Sequence, residues 1–202
     1  MKFSFKENFR SLMMLSKRAR LQNKDFTLIT NNCLAGCLYH DLGLQFATPT
    51  INLYMPFPDY INFLKDFKNN IEKDLVNISS DDGVPSASLG YGGGKIIFLH
   101  YDSFEAASKA WNRRKERINF DNLYAVLVER DGCTHEDLRN FIKLPIKNKI
   151  ALVHKNYDDI EDSFVIKGFE NQEQLGNIMD YVGYFGKRYY DQFDWINFLN
   201  NK

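Results

Sequence analysis

The 202-residue chain has few cysteines and lacks long hydrophobic runs. Its three cysteines, an odd number at low density, argue against a secreted disulfide scaffold and favour a reducing compartment. The apolar run from Leu12 to Leu15 is far too short for a signal peptide. No run approaches the roughly 18 apolar residues that a membrane-spanning helix requires. We therefore expect a cytoplasmic protein that could associate peripherally with the inner face of the membrane.

The chain also lacks an excess of either charge, because 26 basic residues balance 26 acidic ones. A nucleic-acid-binding protein usually carries a strong basic excess, so we expect no nucleic-acid partner. Basic residues are nevertheless concentrated in residues 1–24, which hold seven Lys or Arg against one Glu. Apolar side chains at helical spacing over residues 5–21 predict a basic amphipathic helix. This helix either packs on the domain or lies on an anionic membrane surface.

Apolar and aromatic residues are abundant, at 44% and 15% of the chain, and predict a firm core. Strand-like and helix-like segments alternate through residues 23–202, which we treat as one domain after the N-terminal segment 1–22. The alternation predicts an α/β fold of three layers, with a largely parallel or mixed sheet and helices on both faces. Strands are predicted at 26–30, 50–54, 75–78, 84–89, 95–101, 124–128, 149–153 and 164–166, with 84–89 as a short edge strand. Helices are predicted after Cys33, after Pro56 to about Ile71, from Ser103 to about Ile118, from Thr134, at 171–182 and at 195–199.

Ligands of such sheets bind outside the carboxyl ends of the strands, so the residues that follow each strand are the first candidates. The first is Asn31-Asn32-Cys33, where a thiol stands at the start of a predicted helix. The helix dipole would lower the pKa of the Cys33 thiol and favour a nucleophilic thiolate. Asn31 and Asn32 could donate hydrogen bonds to an oxyanion beside it. Alternatively, the two asparagines only cap the helix and Cys33 is a small buried residue.

Two further strand ends carry candidates, His100-Tyr101 and Arg130-Asp131. His100 follows a strongly apolar segment, and its titration near neutral pH suits a general acid or base. A hydrogen-bonded structural histidine is the alternative. Cys33, Cys37 and His40 share helical spacing, but no second Cys/His cluster lies near them, so we predict no metal site.

The densest polar segment runs from Trp111 to Asn122. On a helix, Arg113 and Arg117 are i, i+4 neighbours and Arg114 projects beside them. Such a guanidinium cluster binds phosphate or carboxylate well, although a solvated basic face paired with nearby acids is the alternative. The candidate binding residues here are Asn112, Arg113, Arg114, Arg117, Asn119, Asp121 and Asn122.

Three segments resemble a known family: NNCLAGCLYHDLGL (31–44), HYDSFEAASKAWNRRKERINFDNL (100–123) and RDGCTHEDLRNFIKLPIKNKI (130–150). Over about residues 24–200 the chain resembles the bacterial family catalogued as domain of unknown function 1919, whose members are often labelled exopolysaccharide biosynthesis proteins. The resemblance implies a three-layer α/β architecture and a role in making or decorating surface polysaccharide. It implies no particular reaction or catalytic residue, and Ala35 stands where the family has its first glycine.

Three functional hypotheses result. The first is a transferase that moves an acyl group to a sugar, with Cys33 as nucleophile or oxyanion-site residue and His100 as general base. In it, the arginines from 113 to 117 would hold the phosphates of a donor such as acyl-CoA. The second is glycosyl or phosphoryl transfer from a nucleotide-sugar donor. The third is a non-catalytic partner of a membrane polysaccharide-assembly complex, docked through residues 1–22. The expected ligand is a phosphate-bearing small molecule or a sugar.

Overall fold

A computed structural model describes residues 5–78 and 83–201, which form an α/β fold. The helices are α1 (Phe5–Arg20), α2 (Leu34–Leu42), α3 (Phe57–Lys65), α4 (Phe67–Glu72), α5 (Phe104–Lys115), α6 (His135–Ile142) and α7 (Trp195–Asn200), with a 3-10 helix at Tyr189–Gln192. The strands are β1 (Thr27–Thr30), β2 (Leu75–Ile78), β3 (Ser86–Leu89), β4 (Lys95–Ile97), β5 (Leu123–Val128), β6 (Asn148–Val153), β7 (Ser163–Val165), β8 (Tyr181–Val182) and β9 (Lys187–Arg188).

The main sheet is fully parallel and has the order β1-β5-β6-β7. β1 and β5 are neighbours, with Thr27 opposite Leu123, although α2 to α5 and the strands β2 to β4 lie between them in the chain. β1 and β5 consist almost entirely of buried residues. This is the expected composition for parallel strands that are covered on both faces. Because all four strands run in one direction, their carboxyl ends lie at one edge, which we call the carboxyl edge.

Helices cover both faces of this sheet and produce three layers. On one face, Ile29 and Leu127 share a core with Tyr60 of α3 and Trp111 of α5. On the other face, the core contains residues of β1, β5, α2 and α7, among them Leu28, Val126, Leu38 and Trp195. This arrangement confirms the predicted α/β class.

A second, antiparallel sheet of three strands, β2-β3-β4, packs into the first of these cores through Ala87, Leu89 and Ile96. Two sequence predictions were wrong here. The segment 95–101 forms a strand only at Lys95–Ile97, and it pairs in this small sheet rather than in the main one. The predicted edge strand at 84–89 is the central strand β3, whose four residues are all buried.

Three further predictions differ from the structure. Residues 50–54 form no strand beyond an isolated bridge between Tyr54 and Ile97. The helix after Pro56 is divided into α3 and α4 at Asp66. The helix predicted at 171–182 is absent from the structure, where local turns and one bond to a distant strand end replace helical bonds. The Leu175 N–H donates to the Glu129 carbonyl at the end of β5.

α1 packs on the domain through a buried ionic cluster. Arg10, only 5% exposed, forms ion pairs with Asp41 of α2 and Asp191 of the 3-10 helix. Lys17 lies 2.6 Å from the other oxygen of Asp191. The cluster thus ties the N-terminal helix to two segments from elsewhere in the chain. Within the described ranges, no helix combines the length and the apolarity needed to span a membrane.

Candidate functional site

A cleft opens at the carboxyl edge of the main sheet, among the loops that follow β1, β4 and β5. Its main lobe has a volume of about 730 Å³. A second lobe of about 350 Å³ adjoins it, and both lobes are lined by Cys33, Cys37 and His100. The main lobe extends to Arg130, and the second lobe extends to Arg188. Of the predicted site residues, the structure places Asn32, Cys33, His100 and Asp131 around the main lobe.

Asn31 and Asn32 have different environments. The Asn31 amide is fully buried and bonds to both backbone groups of Val128, with its oxygen 3.0 Å from the Val128 nitrogen. Asn31 therefore joins β1 to β5 and does not line the cleft. The Asn32 oxygen accepts from the Leu34 N–H at 3.1 Å and caps α2. Because that N–H requires an acceptor, the amide atom bonded to it must be the oxygen. The other terminal atom of the Asn32 amide is therefore the donor Nδ2.

The Asn32 Nδ2 group is an unsatisfied donor at the cleft. Asn32 is 5% exposed and lines the main lobe, yet no acceptor among the described residues bonds to its Nδ2. Leaving a buried donor unsatisfied costs about 1–3 kcal/mol, so such groups in native proteins require an explanation. An acceptor atom of a bound ligand would satisfy this donor.

The Cys33 thiol is not activated. Burial raises its pKa to about 11, the neighbouring Cys37 thiol adds to this effect, and the Arg130 cation opposes it. This direction is opposite to the one expected from a helix N-terminus. Burial is the largest cause of the rise in pKa, and the first N–H groups of α2 are already bonded, Leu34 to Asn32 and Ala35 to the Thr30 hydroxyl. At neutral pH the thiolate is therefore a minor species, about one part in ten thousand.

His100 and the Arg130-Asp131 turn supply the polar groups at the opening of the cleft. His100 is exposed and lines both lobes. The Arg130 Nε lies 2.9 Å from an Asp131 carboxylate oxygen. Asp131 has a positive φ of 56°, which a non-glycine residue rarely adopts, and Gly132 continues the left-handed turn at 86°. Such backbone strain persists where surrounding structure enforces it, commonly at functional sites.

The structure does not bring the arginines of α5 to the cleft. The Arg114 guanidinium is buried, donates to the Tyr101 hydroxyl and lies 5.2 Å from the centre of the Phe46 ring. Arg117 donates to the Phe46 carbonyl. Arg113 and its neighbour Asn112 point to solvent on the outer face of α5. The three guanidinium groups therefore do not converge on one ligand, and Tyr101 is part of their packing rather than of the cleft lining.

Asn119, Asp121 and Asn122 lie at the opposite, amino edge of the main sheet, where they line a different cavity of about 390 Å³. Asn119 donates to the carboxylate of Asp25, and Asn122 donates to the carbonyl of the same residue. Because they precede β5, these side chains hold the start of β1 against the start of β5. They are separated from Cys33 and His100 by the length of the strands.

Sequence reasoning missed a buried polar cluster beside the cleft. The Glu129 carboxylate accepts bonds from the His154 backbone N–H at 2.8 Å, from His154 Nδ1 at 2.7 Å and from the Tyr157 hydroxyl. Glu129 and His154 directly follow β5 and β6, so the strand-end rule could have identified both. Arg188, which lines the second lobe, was also missed, because the short strand β9 that carries it was not predicted. In the described part of the chain, no group of three or more His, Cys, Asp or Glu residues is placed to hold a metal ion.

Comparisons with known proteins give matches along nearly the whole chain. The family described as Domain of unknown function (DUF1919) matches residues 4–200. A protein of Haemophilus influenzae strain Rd, described only as an uncharacterized protein, is 35% identical over 182 residues. These residues are 90% of this chain and 87% of the relative. The family match includes every loop that lines the cleft.

Proposed function

We propose that this chain, which belongs to the DUF1919 family, is a transferase of surface-polysaccharide biosynthesis that moves an acyl group onto a sugar hydroxyl. The observation that carries the proposal is the unsatisfied Nδ2 donor of Asn32, placed in the same cleft as the His100 imidazole and the Arg130 guanidinium. The cleft lies at the carboxyl edge of a parallel sheet, which is where α/β proteins bind their ligands.

In this proposal the Asn32 amide stabilises the transition state. Acyl transfer develops negative charge on the carbonyl oxygen, and a fixed donor aimed at that oxygen lowers the barrier. The capping bond to Leu34 holds the amide in place, and its 5% exposure keeps the donor away from competing water. Removing one donor of this kind typically lowers kcat by about 10²–10³-fold.

His100 acts as the general base in a direct transfer. It takes the proton of the sugar hydroxyl while that oxygen forms its bond to the acyl carbon. The bond between the acyl carbon and the donor sulfur breaks, and the proton passes to the leaving thiolate. No covalent intermediate on the enzyme is required, because Cys33 remains protonated with its pKa of about 11. In this proposal Cys33 lines the cleft and forms no bond to the acyl group.

Arg130 binds the anionic part of the donor in this proposal. Its guanidinium lines the main lobe and is about three-quarters buried, and only Nε is close to the Asp131 carboxylate. A planar guanidinium with free terminal nitrogens is well suited to the phosphates of a carrier such as coenzyme A. The arginines of α5 were the sequence prediction for this role, so Arg113 offers a direct comparison.

The test is an acyl-transfer assay with matched variants. Purified protein is incubated with acetyl-CoA and a panel of hexoses and nucleotide sugars, and the products are identified by mass spectrometry. Asn32→Asp retains an oxygen to cap Leu34 but loses the donor, and we expect kcat/KM to fall about 100-fold or more. We expect His100→Ala to lower kcat by a similar factor and Arg130→Gln to raise KM for the donor.

The controls are Asn112→Asp and Arg113→Gln, which alter exposed side chains of α5 by the same chemistry. Both should retain wild-type kinetics. Full activity of Asn32→Asp and His100→Ala would remove the basis of the proposal, as would glycosyl transfer from a nucleotide sugar without any acyl transfer. Loss of donor binding in Arg113→Gln but not in Arg130→Gln would indicate that the donor binds to the arginines of α5.

A second proposal concerns where the protein acts. Among the described residues, five of the seven exposed large hydrophobic side chains belong to α1 and to the β8–β9 hairpin. They include Leu12 at 66%, Tyr184 at 80% and Phe185 at 65% exposure. The two elements touch, since the Phe9 and Phe185 rings are 5.6 Å apart. Exposed apolar patches of this kind mark sites of interaction.

We propose that this patch, α1 with the hairpin, docks on an anionic bilayer surface, because the same two elements also carry exposed basic side chains. Arg18, Arg20 and Lys187 have no carboxylate ion pair among the described residues. Such a combination binds anionic lipid through both apolar burial and charge.

We expect the protein to sediment with vesicles that contain phosphatidylglycerol, more weakly in 0.5 M salt. Leu12→Gln with Phe185→Ser should abolish sedimentation, whereas Tyr91→Ser, exposed elsewhere on the surface, should not. Vesicle binding that survives the double substitution would contradict the docking surface, and concentration-dependent dimerisation without vesicle binding would assign the patch to a second copy.

A further inference from the structure

Arg188 is a cation without a counter-charge at the far end of the second lobe. It is the last residue of β9, and its guanidinium lies 5.1 Å from the centre of the Tyr181 ring and 5.9 Å from that of Tyr190. Among the described residues it forms no ion pair with a carboxylate. Its Nε is buried and has no hydrogen-bond partner there. Arg188 is therefore the third residue that lines this cleft, after Asn32 and Arg130, with an unsatisfied buried donor.

The charges around Arg188 do not balance. The neighbouring ionic cluster contains two cations, Arg10 and Lys17, and two carboxylates, Asp41 and Asp191. Asp41 also lines the second lobe, but both of its oxygens already accept bonds from Arg10. The four groups neutralise one another, so the Arg188 cation remains in excess. The side chains that bond to the half-buried Arg188 guanidinium, those of Tyr181 and Cys37, carry no formal charge, so a bound anion would supply the counter-charge that they lack.

We infer that the second lobe binds an acidic sugar, with the carboxylate or phosphate of the sugar on the Arg188 guanidinium. The identification of this sugar as the acyl acceptor rests on the proposed function. The two lobes meet at Cys33, Cys37 and His100. A sugar whose acidic group lies on Arg188 therefore extends toward His100, the proposed base, while the acyl donor occupies the main lobe. A guanidinium fork matches the planar geometry of a carboxylate and the paired oxygens of a phosphate.

Cys37 provides a probe of this subsite that does not depend on any enzymatic activity. Its thiol lines the second lobe, and the Arg188 cation acts on it directly. Iodoacetate and iodoacetamide alkylate the same thiolate but differ in charge, so the ratio of their rates cancels any change in the thiol pKa. Peptide mass spectrometry measures this ratio at Cys37, with Cys133 of the same molecule as the internal reference.

We expect the iodoacetate-to-iodoacetamide ratio at Cys37 to fall about five-fold in Arg188→Gln, the size of effect that one nearby charge produces at a half-buried site. Lys187→Gln, which removes the exposed cation next in the chain, should leave the ratio unchanged, and Arg188→Lys should largely retain it. An unchanged ratio in Arg188→Gln would overturn the inference.

A competition experiment on the wild-type protein identifies the ligand and does not require the variant to fold. Glucuronic acid or glucose 6-phosphate should slow alkylation of Cys37, and glucose at the same concentration should not. Protection by glucuronic acid alone indicates a carboxylate ligand, and protection by glucose 6-phosphate alone indicates a phosphate ligand. Equal protection by glucose, or no protection by either acid, would exclude an acidic-sugar site. If an acidic sugar but not glucose protects Cys37, and the protein has no acyltransferase activity, the anionic subsite is supported and the proposed reaction is rejected.

Discussion

Replacing Arg10 with alanine tests whether the buried ionic cluster holds the cleft together. The guanidinium donates to Asp41, to Asp191, to the Gly186 carbonyl and to the Tyr190 hydroxyl. Asp41 belongs to α2, which carries Cys33 and Cys37, and the other three partners lie in the segment that carries Arg188. Arg10 thus joins two walls of the second lobe from behind.

The expected loss can be estimated from these contacts. Arg10→Ala leaves two mostly buried carboxylates, of which only Asp191 retains a cation, Lys17 at 2.6 Å. Removing one partner of a buried ion pair lowers the free energy of unfolding by about 3–5 kcal/mol. For a chain of this length, that loss corresponds to a decrease in Tm of about 6–20 °C. Arg20→Ala, on the exposed face of the same helix, should change the free energy by less than about 0.5 kcal/mol.

The assay is urea unfolding followed by circular dichroism, with the free energy extrapolated to water for both variants. The double variant Arg10→Ala/Asp41→Ala should lose less than the sum of the two single variants, because the unpaired carboxylate is then also absent. A loss below about 1 kcal/mol in Arg10→Ala, or strict additivity in the double variant, would refute the view that the cluster is a stabilising connection.

Three further predictions follow from the same contacts. Burial acts to raise the pKa of Asp191, but bonds from Arg10, the Arg188 backbone and Lys17 outweigh it, so this pKa lies below its usual value. The contribution of Asp191 to the free energy of unfolding is therefore fully present above about pH 4 and is lost as the pH falls through the lowered pKa. In Arg10→Ala, the free energy of unfolding should decline less steeply on acidification. Alkylation of Cys33 by iodoacetamide should rise about ten-fold per pH unit from pH 7 to 10, in line with a thiol pKa of about 11, and a plateau below pH 9 would contradict it. Asn31→Ala should lower the free energy of unfolding by about 2 kcal/mol, and urea unfolding would show it. The reason is that the buried Val128 N–H loses its acceptor, while the Val128 carbonyl keeps only the Arg130 N–H as a donor.

Much of the fold could be predicted because its central strands are strongly apolar. The segments TLIT and LYAVLV carry nothing but buried residues apart from Leu123, and the capping box at Thr134 marks the start of α6. The segment 95–101 misled the prediction, since apolar content alone does not distinguish a strand of a small antiparallel sheet from one of the main sheet. The 171–182 segment misled it because its backbone forms local turns and, through Leu175, a bond to Glu129 that no local sequence pattern indicates.

The candidate site was predicted in part, and the limits have physical causes. The rule that ligands bind at strand ends identified Asn32, Cys33, His100 and Asp131. It could not reveal that Asn32 and Thr30 occupy the N–H groups that would have activated Cys33. The guanidinium groups of α5 are close in sequence, but Arg114 packs inward and Arg113 outward, so sequence proximity did not produce a common ligand site.

The parallel pairing of β1 with β5 has a consequence for how the protein is made. Thr27 pairs with Leu123, so β1 has no neighbour in the sheet until more than half of the chain has been synthesised. A nascent chain on the ribosome therefore exposes its first apolar strand for seconds, since translation proceeds at about 5–20 residues per second. The cleft, which also needs Arg130 and Arg188, is completed only after Arg188 has been synthesised. Premature termination before the final hairpin would release a polypeptide with an unfinished binding site, and termination before β5 would also leave β1 unpaired and prone to aggregation.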